Sequence, residues 1–496
     1  MTIISKKIIT LATIYMDIFY NISVDQWMSN IFLAIYVVII ISCIYVILTE
    51  NRNPIKSLAW VTVLIFMPVV GWIFYIFFGR SIKGLHLISL QKKRKLLNTH
   101  QSKHESFNDI DISETNKQII KLAHSLCGMP IYTNNDITIF NNGKDKFEQL
   151  KTDLHNAKSS INIQYYIFNN DKLGSEIADI LSKKAQDGIK VRVIYDHVGS
   201  FNVNNSFFKK LRQNGVDAQP FFRVTFPQLA NRINWRNHRK IIIIDGEIGY
   251  IGGMNIADRY VDGPSPNKKW RDTHIRVTGD IVNSLQVSFA TDWNFVRNDL
   301  IIDQNTPSNK FSQEKNVMQL ITSGPTSSWS NIALIFHKAI AGAKKSIYIQ
   351  TPYFLPTEAL MKALLTAALS KVDVRIMLPR KSDSKILKYA SYSYIDECLK
   401  AGIKIYLYDA GMLHSKNIII DDDFYSTGST NFDFRSFEHN FEANMLIYNK
   451  QTNQIMKEQF FDDIKDSSKI TLSSWQKRPK SQSLLESIVR LFAPIL

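Results

Sequence analysis

The sequence predicts an α/β protein: two tandem α/β/α halves forming one body, preceded by an N-terminal transmembrane α-hairpin. Three observations carry that prediction. One short pattern occurs twice at identical internal spacing, the stretches upstream of both copies repeat as alternating strand and helix patterns, and two uncharged apolar runs lie near the N-terminus. A chain of 496 residues has room for roughly two to four domains, and a hydrophobic share of 45% suits a globular protein with an ample core, not a many-span transporter.

The apolar runs come first. Ile31 to Leu48 is uncharged and about long enough to span a bilayer. Leu58 to Phe78 is the second run; it carries Pro68 and Gly71, both tolerated within spans. Upstream, Lys6 and Lys7 precede the semi-apolar stretch 8–22, which reads as lying on the membrane surface or as a third span; no small-residue cleavage site marks a signal peptide. Arg80, Lys83, Lys92, Lys93, Arg94 and Lys95 follow the second run, whereas the loop between the runs holds only Arg52 and Lys56. The excess of positive charge predicts that both ends of the hairpin face the cytoplasm, with the catalytic body under the inner leaflet. Net charge is +16 and pI is near 9.4, so an anionic partner is expected, either nucleic acid or an anionic membrane surface. Cys43, Cys127 and Cys398 are scattered and form no C-x-x-C, which argues against a disulfide framework or zinc site and fits reducing surroundings.

These features divide the chain into a membrane-anchoring region 1–96, a polar linker 97–118, a first half 119–298, a connector 299–318, a second half 319–474 and a basic, amphipathic segment 475–496. The halves repeat beyond the motif. Ala157 to Gln164 matches Ala343 to Gln350, Gly188 to Val193 recurs as Lys371 to Ile376, and Asn214-Gly215-Val216 recurs as Ala401-Gly402-Ile403. Helical patterns at Leu173 to Gln186 and Thr357 to Ser370 alternate with β runs, so each half reads strand, helix, strand, helix, strand, then motif strands.

The motif is H-x-K-x4-D-x6-G-(G/S)-x-N. Its first copy supplies His238, Lys240, Asp245, Gly252, Gly253 and Asn255; its second supplies His414, Lys416, Asp421, Gly428, Ser429 and Asn431. His and Lys stand two residues apart leading into a β-branched run, so on a strand they share one face. An imidazole can attack phosphorus or move a proton near neutral pH, and an ammonium stabilises phosphate oxygens as a point charge. Asn255, Asn431 and Ser429 offer neutral contacts to a phosphate. Two facing copies make a site for phosphoryl transfer, where positioning and charge stabilisation supply most of the catalysis. The side chains provide the cations, so no metal or cofactor is called for. Asp245 and Asp421 complete the candidate catalytic set, although they follow the strand and read as organising structure more than chemistry.

This duplicated pattern resembles the signature of the phospholipase D superfamily. Arg236 to Lys240, Gly428 to Phe437 and the segment Pro68 to Arg80 resemble the bacterial cardiolipin synthase branch, and the resemblance covers essentially the whole chain. Phe434 departs from it, standing where a polar or basic residue is at least as common. The resemblance implies two phospholipase D-like halves and a two-step displacement, with His238 becoming a phosphohistidine while His414 protonates the leaving alcohol and then activates the incoming one. The residues alone do not distinguish the two histidines. It further implies that a carboxylate downstream of each motif orients that motif's histidine, with Glu442 in the second half and Asp272 in the first. The implied substrate is phosphatidylglycerol at an anionic inner leaflet of a bacterial cell membrane, with no nucleic acid partner and an open oligomeric state. A hydrolytic phospholipase D, a nuclease and a membrane scaffold with a dead site are the competing readings; both motif copies are complete, and a nuclease has no need of a membrane hairpin.

Two segments lie outside the repeat. Phe222 to Asn237, with Arg223, Phe226, Pro227, Arg232, Trp235 and Arg236, interleaves basic and aromatic residues and suits lipid headgroups, nucleic acid or an ordinary surface loop. With the hairpin, it is expected to hold the mouth of the site against the bilayer. Leu484 to Leu496 places apolar residues at helical spacing after Lys477, Arg478 and Lys480, and reads as a helix on the membrane or one docked on the body.

Overall fold

The structure is a computed structural model. It describes residues 26–49, 54–75, 112–224, 234–263, 268–299 and 316–493, with a few single positions between 79 and 96 and at 301. The chain divides into two compact units, 1–80 and 81–496. The stretch 8–22, most of the linker 97–118, the middle of the 222–237 loop and most of the connector 299–318 lie outside the described residues.

In the first unit, Gln26–Thr49 is one 24-residue helix. It packs against Pro54–Phe66, which is followed by Pro68–Phe74. The run expected as one span over 58–78 is therefore two helices with a break at Met67. Pro68 has no amide hydrogen to continue the ladder and it restricts the residue before it; Met67 leaves helical geometry at φ −133°, ψ 68°. Leu64 and Tyr75 are buried within this unit, and Trp60 meets Tyr75 edge-to-face at 5.4 Å. Among the described residues no helix is long and apolar enough to cross a membrane.

The second unit holds two sheets of one plan. The seven-stranded sheet runs Asn135–Phe140, His274–Gly279, Ile248–Gly252, Ile241–Ile244, Ser160–Tyr165, Lys190–Asp196 and Asp217–Phe221. The nine-stranded sheet runs Ile131–Tyr132, Met318–Ser323, Glu442–Ile447, Phe424–Gly428, Asn417–Ile420, Ser346–Gln350, Asp373–Pro379, Lys404–Tyr408 and Ser467–Ile470. In each, one central strand, Ser160–Tyr165 or Ser346–Gln350, pairs in parallel with the strand that follows it in the chain and antiparallel with the motif strand. Helices Lys172–Gln186 and Glu358–Leu369 make the equivalent crossovers, as parallel pairing requires. Helix Glu114–Cys127 is capped by Ser113, and the polar residues after Ser113 form its first turn.

Both motif strands, Ile241–Ile244 and Asn417–Ile420, are buried along their whole length, which explains their uninterrupted apolar character. One core joins the sheets, with Phe221, Ile241, Ile243, Ile251 and Phe289 packed with Leu320, Tyr425, Met445 and Ile447.

Asp245 and Asp421 sit at the far end of these strands, not with the motif histidines. Both are left-handed, at φ 56° and 49°. The Asp245 carboxylate accepts from the amides of Lys158, Ser159 and Ser160 at 2.7–3.0 Å, and Asp421 accepts from those of Lys344, Lys345 and Ser346 at 2.7–2.9 Å. Each therefore ties the end of its motif strand to the start of the neighbouring strand, as the reading of a structural role expects.

Candidate active site

The motif histidines are joined across the two halves by backbone before any side chain is considered. His238 N donates to Phe441 O at 2.9 Å, and Phe441 N donates to Arg236 O at 2.8 Å. On the other side His414 N donates to Arg271 O at 2.7 Å, and Gly411–Leu413 pairs in parallel with Lys269–Arg271. Each histidine thus lies beside the segment that carries the other half's carboxylate.

The carboxylates are exchanged accordingly. His238 Nδ1 lies 3.0 Å from Glu442 Oε1, and His414 Nδ1 lies 2.6 Å from Asp272 Oδ2. The expected arrangement, in which each carboxylate orients the histidine of its own copy, is not the one observed. The physical reason is the cross-half backbone pairing, which sets Phe441 beside His238 and Arg271 beside His414. With Nδ1 held, Nε2 of each ring is the nitrogen turned away from its carboxylate.

The lysines complete the cluster. Lys240 Nζ donates to His238 O at 2.6 Å and lies 5.5 Å from the Tyr166 ring. Lys416 Nζ contacts His414 Nδ1 at 2.9 Å and also the His414 carbonyl. Tyr166 stands edge-on to His238 at 4.9 Å, while Tyr260 and Trp270 flank His414 at 5.7 and 5.4 Å. All these His, Lys, Asp and Glu side chains are buried.

Burial sets the titration. It pushes His238 down to about 4; Lys240 and Lys416 add to the shift, and Glu442 only partly opposes it. Burial likewise lowers His414, aided by Lys416 and opposed by Asp272. Lys240 falls to about 7 and Lys416 to about 8, burial again being the main cause. Burial alone would raise Glu442, but His238, Lys240 and the Ser429 hydroxyl hold it below the usual value. The arrangement is two imidazole bases, each braced by a carboxylate and each with a readily titrated ammonium group beside it.

The three neutral candidates diverge. Ser429 Oγ donates to Glu442 Oε2, so it contacts the carboxylate directly. Asn431 Oδ1 is buried with no hydrogen-bond partner among the described residues. Asn255 is already engaged: its amide donates to the Tyr260 hydroxyl at 2.5 Å and accepts from Ile167 N at 3.2 Å. Among the described residues no group of His, Cys, Asp or Glu could hold a metal ion.

Sequence reasoning missed a buried frame around the site. Arg239 Nη1 meets Asp292 Oδ2 at 2.6 Å, and Gln164 donates to the same carboxylate. Arg271 Nε meets both Asp463 oxygens at 3.0–3.1 Å, and Gln350 donates to Asp463 at 2.7 Å. Gln164 and Gln350 hold equivalent places in the repeat, which is the signal that could have drawn attention to them. In the 222–237 segment, Phe222 and Trp235 are buried in the core, and Arg236 pairs with buried Asp196 at 3.2 Å. Those residues hold structure and are not free for headgroups. Phe434 opens the short helix Phe434–Glu438, with its ring 5.6 Å from His439.

Known proteins agree with this architecture. The family model described as "Cardiolipin synthase, PLD-like domain" matches residues 150–293 and 336–464, and that described as "Phospholipase_D-nuclease N-terminal" matches 34–80. Cardiolipin synthase 2 of Staphylococcus epidermidis is 40% identical over 462 residues, 91% of this chain and 94% of its own. The major cardiolipin synthase ClsA of Bacillus subtilis is 38% identical over 482 residues, 94% of this chain and 99% of its own. Phosphatidylserine synthase of Haemophilus influenzae shares the fold at TM-score 0.58 and 16% identity, over 76% of this chain and 100% of its own. On the matched domains and the identity over nearly its full length, the chain belongs to the bacterial cardiolipin synthase family of the phospholipase D superfamily.

Proposed function

We infer that the chain is a cardiolipin synthase, a phosphatidyltransferase that joins two phosphatidylglycerol molecules and releases glycerol. The observation that carries this reading is the exchanged pair of His–carboxylate couples, His238–Glu442 and His414–Asp272, within one buried cluster with Lys240 and Lys416.

In the first step His238 Nε2 attacks phosphorus, and the bond from phosphorus to the headgroup glycerol oxygen breaks. His414, protonated at Nε2, gives that oxygen its proton and becomes neutral. In the second step the hydroxyl of another phosphatidylglycerol gives its proton to His414. Its oxygen attacks phosphorus, the phosphorus–nitrogen bond breaks, and cardiolipin leaves with His238 free again. Glu442 and Asp272 fix each ring with Nε2 toward the lipid and stabilise the cationic state through which it passes. Lys240 and Lys416 neutralise the phosphate oxygens, and Asn431 adds a neutral contact. The nucleophile is assigned to His238 by family resemblance; its low pKa, about 4, supports that choice by keeping the ring unprotonated.

The N-terminal helices are read as the membrane anchor, with residues 31–48 and 58–78 as its spans and the body on the cytoplasmic side. Helix Gln26–Thr49 supports this through outward apolar side chains, with Phe32, Leu33, Val38 and Ile41 all about 60% exposed. The charges that follow the second run support the orientation.

The test is a product assay on the purified chain in phosphatidylglycerol liposomes, beside His238→Ala and His414→Ala. Cardiolipin and glycerol lost in both variants is the expected result. Phosphatidic acid without cardiolipin would replace the synthase reading with a hydrolase.

A further inference from the structure

The C-terminal helix of the body, Lys480–Arg490, is turned inside out. Its buried residue is Glu486, 1% exposed, whose carboxylate receives Arg478 Nε at 3.0 Å and Gln482 Nε2 at 2.8 Å. Arg490 lies 4.2 Å from the Tyr394 ring and reaches Glu397 at 3.4 Å. Val489 packs on the core beside buried Ala493. The outward stripe is Leu484, Ile488 and Leu491, one face at i, i+4 and i+7, with exposures of 63, 47 and 78%. Leu485 and Phe492 extend it, and the Ser487 hydroxyl is satisfied by Ser483 O at 3.0 Å. A helix facing water shows the opposite distribution, with charges outward and leucines inward.

The surroundings indicate what covers this face. Helix Lys385–Tyr392 packs alongside and adds exposed Ile386. Lys381 and Lys385 at its start, and Lys477 and Lys480 at the start of the C-terminal helix, are exposed. Helix Lys385–Tyr392 begins just after Asp383, whose carboxylate accepts from the Tyr353 hydroxyl at 2.6 Å and whose charge acts on His414 and Lys416. The patch is thus built onto an element that starts at the rim of the site.

We propose that the faces of Lys480–Arg490 and Lys385–Tyr392 form a membrane-contact surface of the catalytic body, seated on an anionic bilayer and separate from the N-terminal helices. The proposal rests on the lipid-enzyme reading above. Leucine, isoleucine and phenylalanine side chains suit the acyl boundary, and the four lysines suit anionic headgroups. A second copy of the chain fits less well, because a two-fold pairing of this face sets the same lysines against one another.

The experiment uses the full chain carrying Cys43→Ser and Ile488→Cys, labelled with an environment-sensitive fluorophore. The chain is reconstituted in mixed phosphatidylglycerol and phosphatidylcholine liposomes with or without spin-labelled lipid. A label at Asp187→Cys, on an exposed turn, is the control. The expected result is a blue shift and lipid-dependent quenching at 488 and neither at 187. The double change Leu484→Ser with Leu491→Ser is expected to raise the phosphatidylglycerol surface density needed for half-maximal rate about tenfold, with the saturated rate kept. A water-like spectrum at 488 overturns the proposal. So does a blue shift without lipid quenching in a chain that sediments as a dimer, which would place a second copy on the face. Lipid quenching in a chain that makes no cardiolipin would sink the functional reading and leave the surface standing.

Discussion

The two histidine sites share one motif, yet they are not copies. At His238 the bracing group is the longer carboxylate, Glu442, which also receives the Ser429 hydroxyl. At His414 it is the shorter Asp272, and the residue matching Ser429 is Gly253, where an added Cβ would collide with the Asp272 carboxylate. Beyond Glu442 lie Asn444, which accepts from the Thr430 hydroxyl at 2.6 Å and donates to Ser426, and Arg239, which donates to the Glu442 carbonyl at 3.2 Å and is paired with Asp292. On the Asp272 side, beside Arg271, which is paired with Asp463, two further basic groups are buried. Lys146 donates to the Tyr165 hydroxyl at 3.1 Å and interacts electrostatically with Asp272, and His274 has both ring nitrogens buried without a hydrogen-bond partner among the described residues. Burial pushes both well below their ordinary pKa. A duplicated frame therefore carries two differently tuned bases, which is what a reaction with one nucleophile and one acid/base requires.

The comparison is broken most completely by removing a ring. His238→Ala is expected to lower cardiolipin formation by roughly 10⁴-fold or more, with no labelled phosphoenzyme when radiolabelled phosphatidylglycerol is supplied. Next come the braces, expected to cost roughly 10²–10⁴-fold each. Because the pairs are crossed, Glu442→Gln should act like a first-motif change and suppress phosphoenzyme, whereas Asp272→Asn should impair proton transfer by His414. A double variant His238→Ala with Glu442→Gln should be no worse than His238→Ala alone; additive losses would mean that the two do not act as a pair.

The Gly/Ser difference gives a smaller and asymmetric effect. Gly253→Ser should displace Asp272 and cost roughly 10²-fold, while Ser429→Gly removes one hydrogen bond to a charged group and should cost about tenfold. Equal losses would refute the claim that the two positions differ in kind.

The pH profile sharpens the comparison further. Lys240 at about 7 and Lys416 at about 8 have folded values lowered by burial, so their ammonium forms are lost as pH rises through that window. The profile of kcat/KM should therefore decline on the alkaline side first as His414, whose value burial lowers, loses the proton it donates, and fall further between about 7 and 8 as the lysines lose theirs, with the acid limb set by protonation of His238 near about 4. A profile flat to high pH would show that the lysines are not needed charged. Smallest of all, Lys146→Met should leave phosphoenzyme formation nearly unchanged and shift only the titration that reports His414, measured as a displaced limb in the rate of acyl-lipid transfer.

Much of this was legible in the sequence. Identical spacing from His to Asn announced two equivalent strands, and the repeats at Ala157 and Ala343 announced equivalent sheets. Spacing could not show which carboxylate faces which ring, because that depends on cross-half pairing of segments far apart in the chain. Nor could it show that Asp245 and Asp421 cap neighbouring strands, since a carboxylate after a strand looks alike whether it meets amides or substrate. Periodicity revealed that Leu484 to Leu496 has an apolar and a polar face; only packing revealed that Glu486 is the inward one. Trp235 and Arg236 carry the opposite lesson, having the composition of a headgroup loop and the burial of a core.

The exchanged carboxylates also set a schedule. Glu442 stands 204 residues after His238, and a ribosome needs roughly 10–40 s to add that length. Through that interval the nascent chain holds His238 without Glu442 beside it, and its first half alone cannot complete either His–carboxylate couple. A catalyst that acts on phospholipids thus remains unarmed until its second half has been made.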